Sequence, residues 1–192
     1  LSSHELNQPG AYREVKDTTV VAQFKVTTNK ESSFLFDRDE EEVYLLAWTT
    51  TPWTLPSNTA LTVGASIDYV KINTFNKYTK KEVSVILAEA LVSKWFTEDQ
   101  FATEYTPDFD GKCIPARRVA NYPGSQLVGL RYEQLIGESV PTDGDAFKVI
   151  SGSFVTTEDG TGIVHTAPSF GADDRSVAEE NGIGSLTLVD GT

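Results

Sequence analysis

The chain has 192 residues, 39% of them apolar, which suffices for one packed domain of ordinary size and lies above a disordered composition. A net charge of −12 excludes a surface that grips a nucleic-acid backbone broadly, because such binding needs clustered Lys and Arg; contact with one nucleic-acid end stays open. A single cysteine, Cys113, excludes an internal disulfide, and the only histidines, His4 and His165, are too few and too far apart for a zinc cluster.

Neither an internal repeat nor a low-complexity linker divides the sequence. Thr18 to Thr27 (TTVVAQFKVT) is rich in β-branched residues and partly alternates, which predicts a strand. The acids Asp37, Asp39, Glu40, Glu41 and Glu42 read as a solvated loop. Val43 to Thr49 is a short apolar run that predicts a buried strand, ending before Pro52, which has no N–H to give a ladder. Asp68 to Phe75 and Glu82 to Ala88 predict two more strands, with the polar residues 76–81 joining them as a hairpin. Apolar positions 91, 92, 95 and 96 predict a short amphipathic helix over Glu89 to Phe96. Residues 104–125 carry Pro107, Gly111, Pro115, Pro123 and Gly124 and are expected to be irregular. Ala146 to Thr157 predicts a strand, Glu158-Asp159-Gly160 a turn, and Thr161 to His165 a returning strand. Gly171 to Glu180 predicts a helix closed by Asn181-Gly182, and Ser185 to Val189 a last short strand. Together these elements predict an α+β domain with a β-barrel-like core of short strands and a few peripheral helices.

Two stretches are polar where a structural strand would be apolar. The first, Trp48 to Ala60 (WTTTPWTLPSNTA), carries five threonines, a serine and an asparagine close to the end of a buried strand. Each hydroxyl both donates and accepts, the asparagine amide adds two donors and an acceptor, and two prolines hold the chain outside regular pairing. Such a loop suits a neutral polar pocket walled by Trp48 and Trp53; the plainer reading is a Thr-rich strand end followed by a turn. In the second, Gly160 to Asp174 (GTGIVHTAPSFGADD), a strand leads to His165, then to a Pro/Gly loop, then to a helix opening on Asp173 and Asp174. Acids in a first helical turn also oppose the helix dipole favourably, which is their plainer reading. The GTG triplet lacks the further Gly and the Lys of a phosphate loop, no Gly-x-Ser-x-Gly elbow supports a serine nucleophile, and Cys113 reads as structural.

WTTTPWTLPSNTAL (Trp48 to Leu61) and GTGIVHTAPSFGADD resemble the two signature segments of the editing (connective peptide 1) domain of class I isoleucyl-tRNA synthetases, in the family's order and about 110 residues apart. Tyr12 to Asp17 resembles the start of that domain and Gln126 to Glu133 its middle, so the resemblance covers about residues 10–190. Valyl and leucyl relatives usually place Arg before the proline and an acid after it; Thr51-Pro52-Trp53 follows the isoleucyl pattern. The resemblance implies one editing domain over residues 1–192, excised from a larger synthetase. It implies hydrolytic removal of valine from tRNA(Ile), with valyl-adenylate as a further substrate, and exclusion of isoleucine by size. By the same resemblance, Asp174 binds the substrate's α-ammonium, His165 closes the pocket around its side chain, and Trp53 adds a wall. Thr49, Thr50, Thr51 and Asn58 match the loop that contacts substrate and attacking water.

No cofactor or metal is implied, and the only partners expected are the tRNA 3′ CCA end carrying valine and the rest of the parent chain. The activation site needs a His-x-Gly-His segment and a Lys-Met-Ser-Lys-Ser loop; neither occurs, so no ATP-dependent activation is expected. The absence of any Met, even at position 1, predicts that the sequence begins inside a longer product or after processing. With no apolar run long enough to span a membrane, no secretory signal and no Asn-x-Ser/Thr acceptor, a cytoplasmic location is expected, and one domain with no obvious exposed apolar stripe predicts a monomer. Two other readings stay open on sequence: a non-catalytic module that holds the tRNA end, and a valyl-type domain that clears Thr-tRNA.

Overall fold

The computed structural model describes residues 18–188, so the Tyr12–Asp17 segment and Val189 lie outside the described residues. Eight strands form one sheet: β1 (Val20–Lys25), β2 (Val43–Thr49), β3 (Ala60–Val63), β4 (Asp68–Phe75), β5 (Glu82–Ala88), β6 (Ala116–Pro123), β7 (Lys148–Ser151) and β8 (Ile163–Thr166). Their order is β6-β4-β5-β2-β8-β3-β7, with β1 paired to β2.

The central strand is β2. Antiparallel β1 covers one of its edges along Tyr44–Thr49. Its other edge is shared: Val43–Leu45 pair with parallel β5, and Trp48 pairs with Val164 of parallel β8. A strand enclosed this way buries both faces, which explains its unbroken apolar run.

From β8 the sheet continues through β3 to β7 and curls. The remaining gap between β7 and the end of β1 is spanned by single bridges, Arg131 to Lys148 and Tyr132 to Val26. Backbone bonds from Thr27 N to Arg131 O (2.8 Å) and from Val149 N to Leu130 O (2.9 Å) hold that span. Phe24, Leu45, Ala47, Leu61, Val63, Tyr132, Val149 and Ile163 belong to one buried cluster. The result is an α+β domain with a curled, barrel-like sheet and peripheral helices, as the element pattern predicts. The helix Ala172–Glu180 packs Val177 and Ala178 on Ala60, Ile150 and Ile183.

The β2, β4 and β5 boundaries agree with the sequence reading, and β4 and β5 form the expected antiparallel hairpin. Glu89–Trp95 is helical as expected, although its first turn is 3-10. Residues 104–125 are not wholly irregular: Ala116–Pro123 is a strand at the sheet edge, where an exposed, non-alternating sequence and a terminal proline are tolerated. Ala146–Thr157 yields only the four residues of β7, and Ser185–Leu188 forms no strand. The acidic run is not wholly solvated either. The Glu41 side chain is 1% exposed and meets the fully buried Lys71 of β4 at 2.7 Å. Lys71 also bonds Asp37 (2.7 Å) and the Leu35 carbonyl (2.6 Å), so this loop is anchored into the domain by a buried charge.

Candidate active site

Parallel strands end at the same side, so the C-terminal ends of β2 and β8 emerge next to each other at one end of the barrel. There β2 delivers Thr49–Thr54, and β8 delivers His165 and the loop into helix Ala172–Glu180. A cavity of about 680 Å³ lies between them, lined by Trp48, Thr49, Thr50, Thr51, Trp53, Thr54, the acids Glu158 and Asp159 and residues 160–165, with Ala167 and the first helical turn through Asp173 and Asp174.

The threonine loop holds its shape through its own hydroxyls. Pro52 opens a 3-10 turn over Pro52–Ser57, where its missing N–H costs nothing and its fixed φ suits the start. Thr51 N–H donates to Thr49 Oγ1 (3.0 Å), the Thr49 and Thr51 hydroxyls are 3.2 Å apart, and Thr54 Oγ1 donates to the Thr51 carbonyl (2.8 Å). On the β8 side, Gly162 has φ 74° and packs against Ala88, whose Cβ fills the place that a Gly162 side chain would need. That contact, with Ala88 N–H donating to Thr161 O at 2.8 Å, seats β8 beside the end of β5.

His165 is 7% exposed, and both ring nitrogens are engaged. Nδ1 lies 2.8 Å from Asn58 Nδ2 and Nε2 lies 3.0 Å from Thr54 Oγ1. The network fixes the proton positions. Asn58 Nδ2 also donates to the Ala60 carbonyl (2.8 Å), and Asn58 Oδ1 accepts from the Tyr132 hydroxyl (2.7 Å), so the amide has one consistent orientation. Nδ1 must then accept. Thr54 gives its proton to Thr51 O, so its oxygen accepts from Nε2–H. His165 is thus a neutral imidazole, and burial pushes its pKa from 6.5 to about 4. With its lone pair occupied it is a fixed wall of the cavity rather than a proton acceptor.

Asp174, in the first turn of its helix, is half-buried, and Oδ2 accepts the Ala167 N–H at 2.9 Å. Burial raises its pKa, the Ala167 N–H opposes that rise, and Asp173 adds to it. No ion pair is made by Asp174 among the described residues, so a carboxylate facing the cavity lacks a cation. Nor do the described residues include a group of three or more His, Cys, Asp or Glu able to hold a metal ion.

Thr49, Thr50, Thr51, Trp53, His165 and Asp174 therefore all line one cavity, with Trp53 65% exposed beside it. Asn58 does not line it; at 3% exposure it lies behind His165 and touches the imidazole. Sequence reasoning missed the roles of Thr54 and Tyr132. Thr54 was within the polar stretch, whereas Tyr132 carried no signal beyond its place in the Gln126–Glu133 segment.

No protein-family model matches the chain. Among curated proteins, it is 53% identical over 192 residues to an isoleucine–tRNA ligase of Cytophaga hutchinsonii, covering 99% of this chain and 16% of that protein. It is 54% identical over 190 residues to an isoleucine–tRNA ligase of Bacteroides fragilis, covering 98% of this chain and 16% of that one. Among solved structures, the editing domain of a cytosolic leucyl-tRNA synthetase from P. knowlesi aligns with a TM-score of 0.62 at 18% identity, over 84% of this chain and 60% of that one. The chain corresponds to an editing (CP1) domain homologous to those of class I isoleucyl- and leucyl-tRNA synthetases. Its barrel-like α+β architecture is the editing-domain fold. The chain spans about one sixth of the length of the isoleucine–tRNA ligases it matches.

Proposed function

We propose that this editing domain hydrolyses the ester of valyl-tRNA(Ile) and spares isoleucyl-tRNA(Ile), with valyl-adenylate as a further substrate. The observation that carries the reading is Asp174, a half-buried carboxylate that faces the threonine hydroxyls across the cavity and makes no ion pair among the described residues, whereas Asp159, also in the lining, is paired with Lys94 at 3.1 Å. Every aminoacyl ester presents an α-ammonium, and a carboxylate pairing with it makes a charge-assisted hydrogen bond. A cation bound there also favours the ionised carboxylate and so opposes the rise that burial gives the Asp174 pKa.

With the ammonium on Asp174, the side chain points into the space bounded by the His165 imidazole. One methylene separates isoleucine from valine and is worth only about 1–3 kcal/mol in a pocket; the isoleucyl enzyme is itself the known illustration of why a second, size-excluding site is then needed. An imidazole held at both nitrogens resists displacement by the larger side chain. Since His165 is neutral and its lone pair is taken, it does not act as the base. The threonine hydroxyls of Thr49, Thr50 and Thr51 orient a water against the ester carbonyl and donate to the developing oxyanion. The water oxygen bonds to the carbonyl carbon, the ester C–O bond breaks, and the proton leaves with the tRNA terminal hydroxyl, giving free valine and uncharged tRNA. The net charge of −12 fits a domain that accepts only the single-stranded 3′ end while the parent chain holds the tRNA body.

Deacylation of Val-, Thr- and Ile-esterified tRNA(Ile) by the chain tests the proposal. Rapid loss of valine with isoleucine retained supports it. Binding of the 3′ end without turnover of any ester identifies a holding module, and preferred removal of threonine identifies valyl-type specificity.

A further inference from the structure

The imidazole that bounds the cavity is oriented from inside the barrel. Tyr132 belongs to the short span that completes the barrel between β1 and β7, and its ring packs edge-on against Phe24 at 5.3 Å and Phe147 at 6.2 Å. Its hydroxyl is buried and donates to Asn58 Oδ1 at 2.7 Å. Asn58 in turn donates to His165 Nδ1 at 2.8 Å, and His165 Nε2–H reaches Thr54 Oγ1 at 3.0 Å. A buried network with every member satisfied fixes one arrangement, and a partly satisfied one does not.

We propose that Tyr132 is a positioning residue for the size gate: through Asn58 it fixes the orientation and tautomer of His165, and thereby the preference for valine over isoleucine at the cavity. This rests on the editing function proposed above. Tyr132 itself does not line the cavity, so its influence runs through Asn58. The Asn58 amide is held in one sense by two groups, Tyr132 on its oxygen and the Ala60 carbonyl on its nitrogen. Burial keeps the phenol well above its ordinary pKa, so it stays a donor at any working pH. Replacing Tyr132 by Phe keeps the ring contacts and leaves Asn58 Oδ1 buried without its donor, so the amide's orientation rests on its nitrogen's bonds alone and the preference for that orientation narrows. Where the amide turns, it presents its oxygen to Nδ1, which favours the Nδ1–H tautomer, and Thr54 then bonds Nε2 only by donating to it in place of the Thr51 carbonyl.

The test compares the chain with its Tyr132→Phe variant by two readouts. The His165 imidazole nitrogen shifts report the tautomer: the parent is expected to show an unprotonated Nδ1, and the variant mixed tautomers. Unchanged nitrogen shifts overturn the proposal whatever the activity. The ratio of Val-tRNA to Ile-tRNA deacylation is expected to fall about tenfold in the variant, the order expected for one unsatisfied buried acceptor. A lowered Tm with an unchanged ratio reduces Tyr132 to a packing residue and overturns the specificity role. In an Asn58→Ser background, Tyr132→Phe should leave the ratio as it is; a further fall there refutes transmission through Asn58. If the parent chain turns over neither ester, the editing function fails, and the nitrogen shifts still decide the positioning of His165.

Discussion

Acidification should expose the buried imidazole. In the folded chain His165 titrates near 4, against 6.5 for an unperturbed histidine, because burial disfavours the charged ring. Between those values the unfolded chain binds a proton that the folded chain does not, so stability rises with pH across that window. The contribution is fully present above about pH 6.5 and is lost as the pH falls through the window towards 4. At about 1.4 kcal/mol for each tenfold change in proton activity, the interval corresponds to ~3 kcal/mol, a large part of a domain's net stability. Protonation also sets an Nδ1–H against the Asn58 amide N–H, which adds a direct clash to the burial cost. Urea unfolding of the chain and of His165→Gln at closely spaced pH values isolates this contribution from the carboxylates, which both share. The parent should lose stability more steeply between pH 6.5 and 4, by about 3 kcal/mol in total. Parallel stability curves, or a His165 imidazole resonance that titrates near 6.5, refute the neutral, doubly bonded histidine.

Replacing His165 by Ala removes the wall and should let the domain deacylate Ile-tRNA(Ile), read as release of labelled isoleucine; an intact cognate ester would remove His165 from the size gate. Lys71→Met strands the buried Glu41 carboxylate and should cost about 3–5 kcal/mol in chemical denaturation, with part recovered when Glu41→Gln is added; a loss under about 1 kcal/mol contradicts the anchoring role. Given the net charge of −12, the chain should bind uncharged tRNA no more tightly than about 1 μM at physiological salt, and tighter binding in a fluorescence titration contradicts a domain that holds only the 3′ end.

Much of this fold was legible because its central strands are buried on both faces. Val43–Thr49, Asp68–Phe75 and Glu82–Ala88 stand out as β-rich runs bounded by polar or proline residues, and their limits match the structure. Edge and short strands were harder to read. Ala116–Pro123 lies at the sheet edge with mostly exposed residues, so neither alternation nor an apolar run marks it. Ala60–Val63 merges with the polar stretch before it and is only four residues long. Charge misled for a related reason: a cluster of acids usually faces water, and nothing local to residues 37–42 announces that Lys71, thirty residues on, draws Glu41 inside. The cavity's lining residues came from two continuous segments and could be read from them. What orients those residues could not, since the Asn58–His165 and Tyr132–Asn58 bonds join positions 107 and 74 residues apart.

The central claim, that the half-buried Asp174 carboxylate captures the substrate's ammonium, is tested most directly by the rate at which Asp174→Ala deacylates Val-tRNA(Ile), beside the parent chain. An ion pair of this kind predicts a loss of at least tenfold to a hundredfold in kcat/KM, on the order of 1.4–3 kcal/mol, with the folded state retained. A variant that removes valine at nearly the parent rate contradicts it.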